Sequence, residues 1–193
     1  MKGKIIFLIV VVLAACDSTS VSDNAGTTAD ASLPTGAVTE QFNDGSGLTK
    51  VTVNDVAGNL SESGVLRNGK REGNWIEYHP NGLIKSASSY VEGQLEGVKM
   101  ELSNSGQLEK RMNYHLGQLD GEYKEFRYST LKEERYYVGG KLEGTTKIYY
   151  DNGKVMEEGA YKNGTRDGVS KWYDQEGNVT IEYEYKNGEL VKK

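Results

Sequence analysis

Lys162-Asn-Gly-Thr-Arg-Asp-Gly168 decides how this chain folds, because the segment keeps returning. Its first glycine recurs as Gly45, Gly69, Gly93, Gly117, Gly140, Gly164 and Gly188, always 24 residues apart except for one interval of 23. The second recurs as Gly73, Gly97, Gly121, Gly144 and Gly168, and a third marker follows at Gly82, Gly106, Gly153 and Gly177. An aromatic closes the unit at Tyr90, Tyr114, Tyr137, Tyr161 and Tyr185. A fixed period in this range signals a repeat architecture.

Each unit reads as two strands, one after the second glycine (Asn74–Tyr78, Glu122–Phe126, Val169–Tyr173) and one after the third (Leu83–Tyr90, Lys154–Tyr161). Asn81-Gly82 and Asn152-Gly153 are strong hairpin signals. Both connections are too short for parallel pairing. The expected fold is therefore all-β: one elongated antiparallel meander of about a dozen strands at about 4.8 Å spacing, rolled by twist into a trough. A β-solenoid with the glycines at its corners is the alternative. The aliphatic second residue of strand two (Leu60, Ile84, Leu108, Leu131, Val155, Val179) lies six positions before the closing aromatic. Period two places both on one face. The array divides into a degenerate cap 42–65, repeats 66–89, 90–113, 114–136, 137–160 and 161–184, and a partial unit 185–193. Tyr128-Ser-Thr-Leu131 lacks the turn glycine and is one residue short, which predicts a distorted hairpin.

The first 15 residues read as a processing segment: Lys2 and Lys4, then the apolar run Ile5–Val12. That run is too short to span about 30 Å of hydrocarbon. Leu13-Ala-Ala-Cys16 resembles the lipobox of bacterial lipoproteins, and Cys16 is the only cysteine. The resemblance implies cleavage before Cys16 and its acylation, hence a lipid bilayer as the first partner; each buried methylene contributes about 0.8 kcal/mol. Asp17 resembles an inner-membrane retention signal, which places the domain at the periplasmic face, with the outer membrane as the alternative. Residues 17–41, rich in Ser, Thr, Ala, Gly and Asp, read as a disordered tether with a span of about 25–30 Å. Asp17, Asp23, Asp30 and Glu40 have no basic counterpart there, and the whole chain carries −5. That balance disfavours nucleic acid as a partner.

Catalysis finds little to work with. The two histidines, His79 and His115, occupy no repeating column, and no serine lies at a set spacing from either. No phosphate loop is present. The chain reads as neither an enzyme nor a cofactor carrier. Glu133-Glu134 and Glu157-Glu158, at matching places in adjacent units, are the only candidate for a divalent cation; the ordinary reading is a solvated strand face. Trp75, Tyr78, Tyr123, Tyr149 and Trp172 are the candidate binding residues, since Tyr and Trp combine contact area with a polar tip. Their alternative role is packing within a thin sheet.

The unit Asn68-Gly-Lys-Arg-Glu-Gly-Asn-Trp-Ile-Glu-Tyr-His-Pro-Asn-Gly82 resembles the MORN repeat in its bacterial variant form. The resemblance covers 42–193 and departs at the cap, at the Thr130 turn and at Lys99, Thr146 and Ser170, where the early-strand aromatic is missing. It implies a binding or scaffolding function with a protein partner. Proteins of this variant are often antitoxin-like, so neutralising a toxin by binding is the alternative role.

Overall fold

The computed structural model describes Leu33, Pro34 and residues 36–192. The processing segment, Cys16 and most of the tether lie outside the described residues. All sixteen strands found among the described residues belong to one sheet. The N-terminal unit forms β1 (Ala37–Gln41), β2 (Leu48–Asn54) and β3 (Leu60–Arg67), and the next forms β4 (Lys70–Tyr78) and β5 (Ile84–Val91). Then come β6 (Gln94–Leu95), β7 (Gly97–Leu102), β8 (Leu108–His115), β9 (Gln118–Arg127) and β10 (Thr130–Val138). The last are β11 (Lys141–Leu142), β12 (Gly144–Tyr149), β13 (Val155–Lys162), β14 (Thr165–Tyr173), β15 (Val179–Lys186) and β16 (Glu189–Lys192).

Neighbours in the sheet are neighbours in the chain, every pair is antiparallel, and only the short β6 and β11 lie off the path, beside β5 and β10. This is the meander, not the solenoid. It is longer than a dozen strands because it starts earlier: Ala37–Gln41, expected to belong to the tether, pairs with Thr49–Val53 as β1. Ala37 packs against the cluster of Val51, Val53, Leu66 and Trp75, and covering those residues is what orders the segment.

Two kinds of turn alternate. Asn163-Gly164 is a two-residue turn with both φ positive, 50° and 87°, as a primed hairpin turn requires. His79–Leu83 is a five-residue turn, closed by His79 N–H on Leu83 O and by Gly82 N–H on His79 O, both 2.8 Å. The second glycine of the repeat is not at a turn. Gly73, Gly121 and Gly168 lie inside β4, β9 and β14, with φ of 63°, 102° and 116°. Opposite Gly168 the register slips between Gly159 and Tyr161. So the recurrent segment is one turn followed by a strand that bulges at its glycine.

A second bulge overturns the expected face assignment. Tyr78 pairs with Ile84 but Glu77 pairs with Ser86, leaving Lys85 as the extra residue. The same slip recurs in every full unit. One inserted residue inverts the alternation, so Ile84 and Tyr90 point to opposite faces.

The short middle unit is also resolved differently. Arg127 pairs with Thr130 around Tyr128-Ser129, whose φ values are 50° and 62°. Losing one residue turns the five-residue turn into a tight two-residue turn, with ordered pairing on both sides.

Candidate functional site

The sheet has unlike faces. Directly paired residues share a face, so the pairs trace one central row through Val51, Gly64, Trp75, Ser88, Lys99, Met112, Tyr123, Arg135, Thr146, Gly159, Ser170 and Tyr183. This is the packed face. Val51, Val53, Leu66, Trp75, Met112 and Tyr123 are buried there, together with Ser86, Ser88 and Ser170. The indole of Trp75 lies directly over Gly64, where an added Cβ would come within 2.2 Å of the ring. Its Nε1–H donates to Val65 O at 3.0 Å.

Arginines tie this face together. Arg71 lies 4.2 Å from the Trp75 ring centre, near Tyr90, and bonds the Glu62 carboxylate at 2.6 Å. Arg135 repeats the arrangement with Tyr123 and Glu133, and Arg166 does so with Trp172, Tyr161, Tyr185 and Glu157. Lys99 bonds Glu101 at 3.1 Å. Burial opposes the charge on Lys99, Arg135 and Arg166, but the carboxylate beside each outweighs it, and all three pKa values rise. Burial, then a hydrogen bond to Glu125, pushes the Tyr123 phenol up. These cations are already satisfied; Arg71 and Arg166 bond carboxylates across neighbouring strands, whereas Lys99 and Arg135 bond carboxylates of their own strand.

The opposite face is open. Its central row runs Ser63, Ile76, Ala87, Met100, Arg111, Lys124, Glu134, Lys147, Glu158, Lys171 and Glu182. Charge alternates over its second half. Beside it stand pairs of bulkier residues: Tyr78 with Ile84, Leu102 with Leu108, Phe126 with Leu131, Tyr149 with Val155, and Tyr173 with Val179. Tyr149 O–H donates to Glu134 and Tyr173 O–H to Glu158, each at 2.6 Å. The Tyr149 bond holds the Glu134 carboxyl below its ordinary value. The Glu158 bond, then burial, pushes Tyr173 up to about 12. Leu60, Ile84, Val98, Met100, Tyr136, Val169 and Val179 are exposed on this face.

The five candidate binding residues therefore divide. Trp75, Tyr123 and Trp172 lie on the packed face, where Trp75 and Tyr123 are buried and Trp172 half-buried. Tyr78 and Tyr149 lie on the open face. The glutamate pairs divide as well: Glu133 and Glu157 bind Arg135 and Arg166 on one face, while Glu134 and Glu158 hold tyrosines on the other. Adjacent residues on a strand point oppositely, and the four carboxylates do not converge.

One column was present in the sequence but unread. The residue before each second glycine is always acidic: Glu72, Glu96, Asp120, Glu143 and Asp167. Each carboxylate accepts a backbone N–H from the next two-residue turn, at Glu92, Leu116, Gly139, Asn163 and Asn187. The 24-residue spacing of acid–glycine pairs was the available signal.

Three segments, 71–92, 142–163 and 166–187, match the MORN repeat variant family. Repeats of this variant suggest a protein- or membrane-interaction module. No curated protein matches the chain. Two solved structures are similar to part of it: a mutant of S. aureus TarM in complex with Fondaparinux, alpha-GlcNAc-glycerol and UDP, and TarM. Each is 14% identical with a TM-score of 0.35, and the match covers 50% of this chain but 19% of the TarM chain. At that similarity nothing of TarM's chemistry bears on this chain.

Proposed function

We propose that the protein is a cell-envelope lipoprotein, held to the bilayer through acylated Cys16, whose repeat sheet docks a protein partner on its open face. The observation that carries this reading is the contrast between the faces. The packed face spends its aromatics and arginines on its own cohesion. The open face leaves Met100 at 38% and Val169 at 40% exposure beside a row of alternating charge. Apolar side chains framed by fixed charges are what a protein interface uses for contact and register. The chemistry of the partner is thus a surface with apolar contacts and a matching charge row. The lipobox resemblance supports the anchor, and the acidic tether argues against an anionic lipid surface as the docked partner.

The test is affinity capture from detergent-solubilised membranes, with Met100→Asp/Val169→Asp and Cys16→Ser variants beside the native chain. The double variant is expected to fold and to lose the partner; Cys16→Ser is expected to leave the membrane fraction. Recovery of the same partner by the double variant would refute docking on this face, and unchanged membrane partitioning of Cys16→Ser would refute the anchor. A toxin as the captured partner would select the immunity form of this reading.

A further inference from the structure

The shortened turn leaves a notch beside the turn at 103–107. At two other junctions neighbouring five-residue turns are stitched to each other along the strand ends. His79 Nε2 meets Leu102 O and Asn81 Nδ2–H donates to Asn104 O; Tyr150 O–H donates to Tyr173 O and Asn152 Nδ2–H to Gln175 O. Between the turn at 103–107 and Tyr128-Ser129 no such stitch is made among the described residues. Ser103 and Ser105 bond each other at 2.9 Å instead of reaching across. The space left is a pocket of about 480 Å3, within the range of small-molecule sites.

Its lining sets planar polar groups beside the apolar Leu108 and Phe126. Asn104, Gln107, Glu109 and Arg127 all border it with side chains that have no hydrogen-bond or ion-pair partner among the described residues. Arg127 is alone among the six arginines in making no such direct bond; its charge is felt by the Asp151 carboxyl, which it helps hold below the ordinary value after the bond from Lys132. Amide, carboxylate and guanidinium are planar groups able to make paired hydrogen bonds, the geometry that matches two neighbouring hydroxyls on a sugar ring. Tyr128, 83% exposed, supplies a flat apolar face for the C–H side of the same ring. Tyr128 and Ser129 also hold positive φ without glycine, a conformational cost of about 1–2 kcal/mol each. Glu92 and Leu116 hold the first of these conformations in their own turns, so the departure is Ser129, which stands where the other two-residue turns among the described residues have glycine.

We propose that this notch binds a pyranose saccharide, stacked on Tyr128 and held through its hydroxyls by Arg127, Glu109, Asn104 and Gln107. The notch borders the open face at Leu108 and Phe126, but neither Met100 nor Val169 lines it, so loss of the partner in the Met100→Asp/Val169→Asp variant and loss of saccharide in the Tyr128→Ala variant are separate results. The test is saturation-transfer difference NMR on the full-length chain in detergent without sugar headgroups, using cellotriose, maltotriose and triacetylchitotriose as probes. At least one probe is expected to receive saturation on its ring C–H protons. Tyr128→Ala and Arg127→Ala, both at exposed side chains, are each expected to weaken that probe's binding about tenfold or more while leaving the melting temperature unchanged. No transfer to any of the three, or undiminished transfer in Tyr128→Ala, would overturn the proposal.

Discussion

Gly64 and Gly159 occupy equivalent places on the packed face, yet they face different neighbours. Trp75 covers Gly64, whereas Ser170 stands opposite Gly159, with its Oγ 3.2 Å from where a Cβ would lie. The indole is buried and tied to Val65 O, so it has nowhere to move. Gly64→Ala is expected to lower unfolding stability by about 3 kcal/mol, the upper range for overpacking. Gly159→Ala is expected to cost less than half of that, because the Ser170 Oγ and the Tyr161 ring stand 3.2 and 3.3 Å from the added Cβ and need give only slightly. Denaturant titration of both variants checks the difference; equal losses would show that the indole does not set the limit. The sequence held both glycines in plain view, but neither belongs to the turn-forming series. Their role follows from what lies across the strand pair.

The turn clamps belong to the scale of elements. Glu96 accepts the Leu116 N–H and binds His115 Nδ1 at 3.0 Å. The His115 bond, then the backbone N–H, holds the Glu96 carboxyl below its ordinary 4.5. In turn Glu96 raises His115 above 6.5. Asp167 is lowered in the same way by Lys186 and the Asn187 N–H. A depressed carboxyl stabilises the fold above its unfolded pKa and ceases to do so as pH falls through its folded value. A raised histidine stabilises below 6.5 and ceases to do so as pH rises through its folded value. The His115–Glu96 clamp is thus strongest between about pH 4.5 and 6.5. Glu96→Gln is expected to return the His115 pKa toward 6.5, read by NMR titration of its ring protons; an unmoved pKa would remove Glu96 as the cause. The acid–glycine spacing made these carboxylates findable from the sequence. The bulge at Lys85 and its equivalents was not findable, because an extra residue in one strand leaves no mark on composition or period.

At the scale of the whole molecule, a single layer stacked in chain order has consequences for shape and cooperativity. Fourteen strands follow one another along the main path, which at about 4.8 Å per strand makes a sheet roughly 60 Å across. A slab of that width, about 30 Å deep and 10 Å thick, has a radius of gyration of about 18–20 Å, against about 15 Å for a compact globule of the same length. Small-angle scattering of residues 33–192 checks this, and a value near 15 Å would mean that the sheet closes on itself in solution. Each unit touches only its neighbours, so stability accrues unit by unit. Two arginine–carboxylate pairs on the packed face, Arg71–Glu62 and Arg166–Glu157, cross from one unit to the next. Loss of the Arg166–Glu157 pair therefore weakens the array at that junction.

The sequence by itself determined the period, the antiparallel meander and the place of the irregular unit. These rest on local chemistry: positive φ at turn glycines, connections too short for a crossover, and a missing residue that no later part of the chain restores. Only the tertiary structure decided which face each side chain takes and what the irregular unit becomes. A one-residue bulge reverses every side chain beyond it, and whether a strand bulges is settled by pairing across the sheet. For the same reason the recurrent glycine of Lys162–Gly168 proved to be a bulge within a strand, while the gap at Tyr128-Ser129 closed into a turn with a notch beside it.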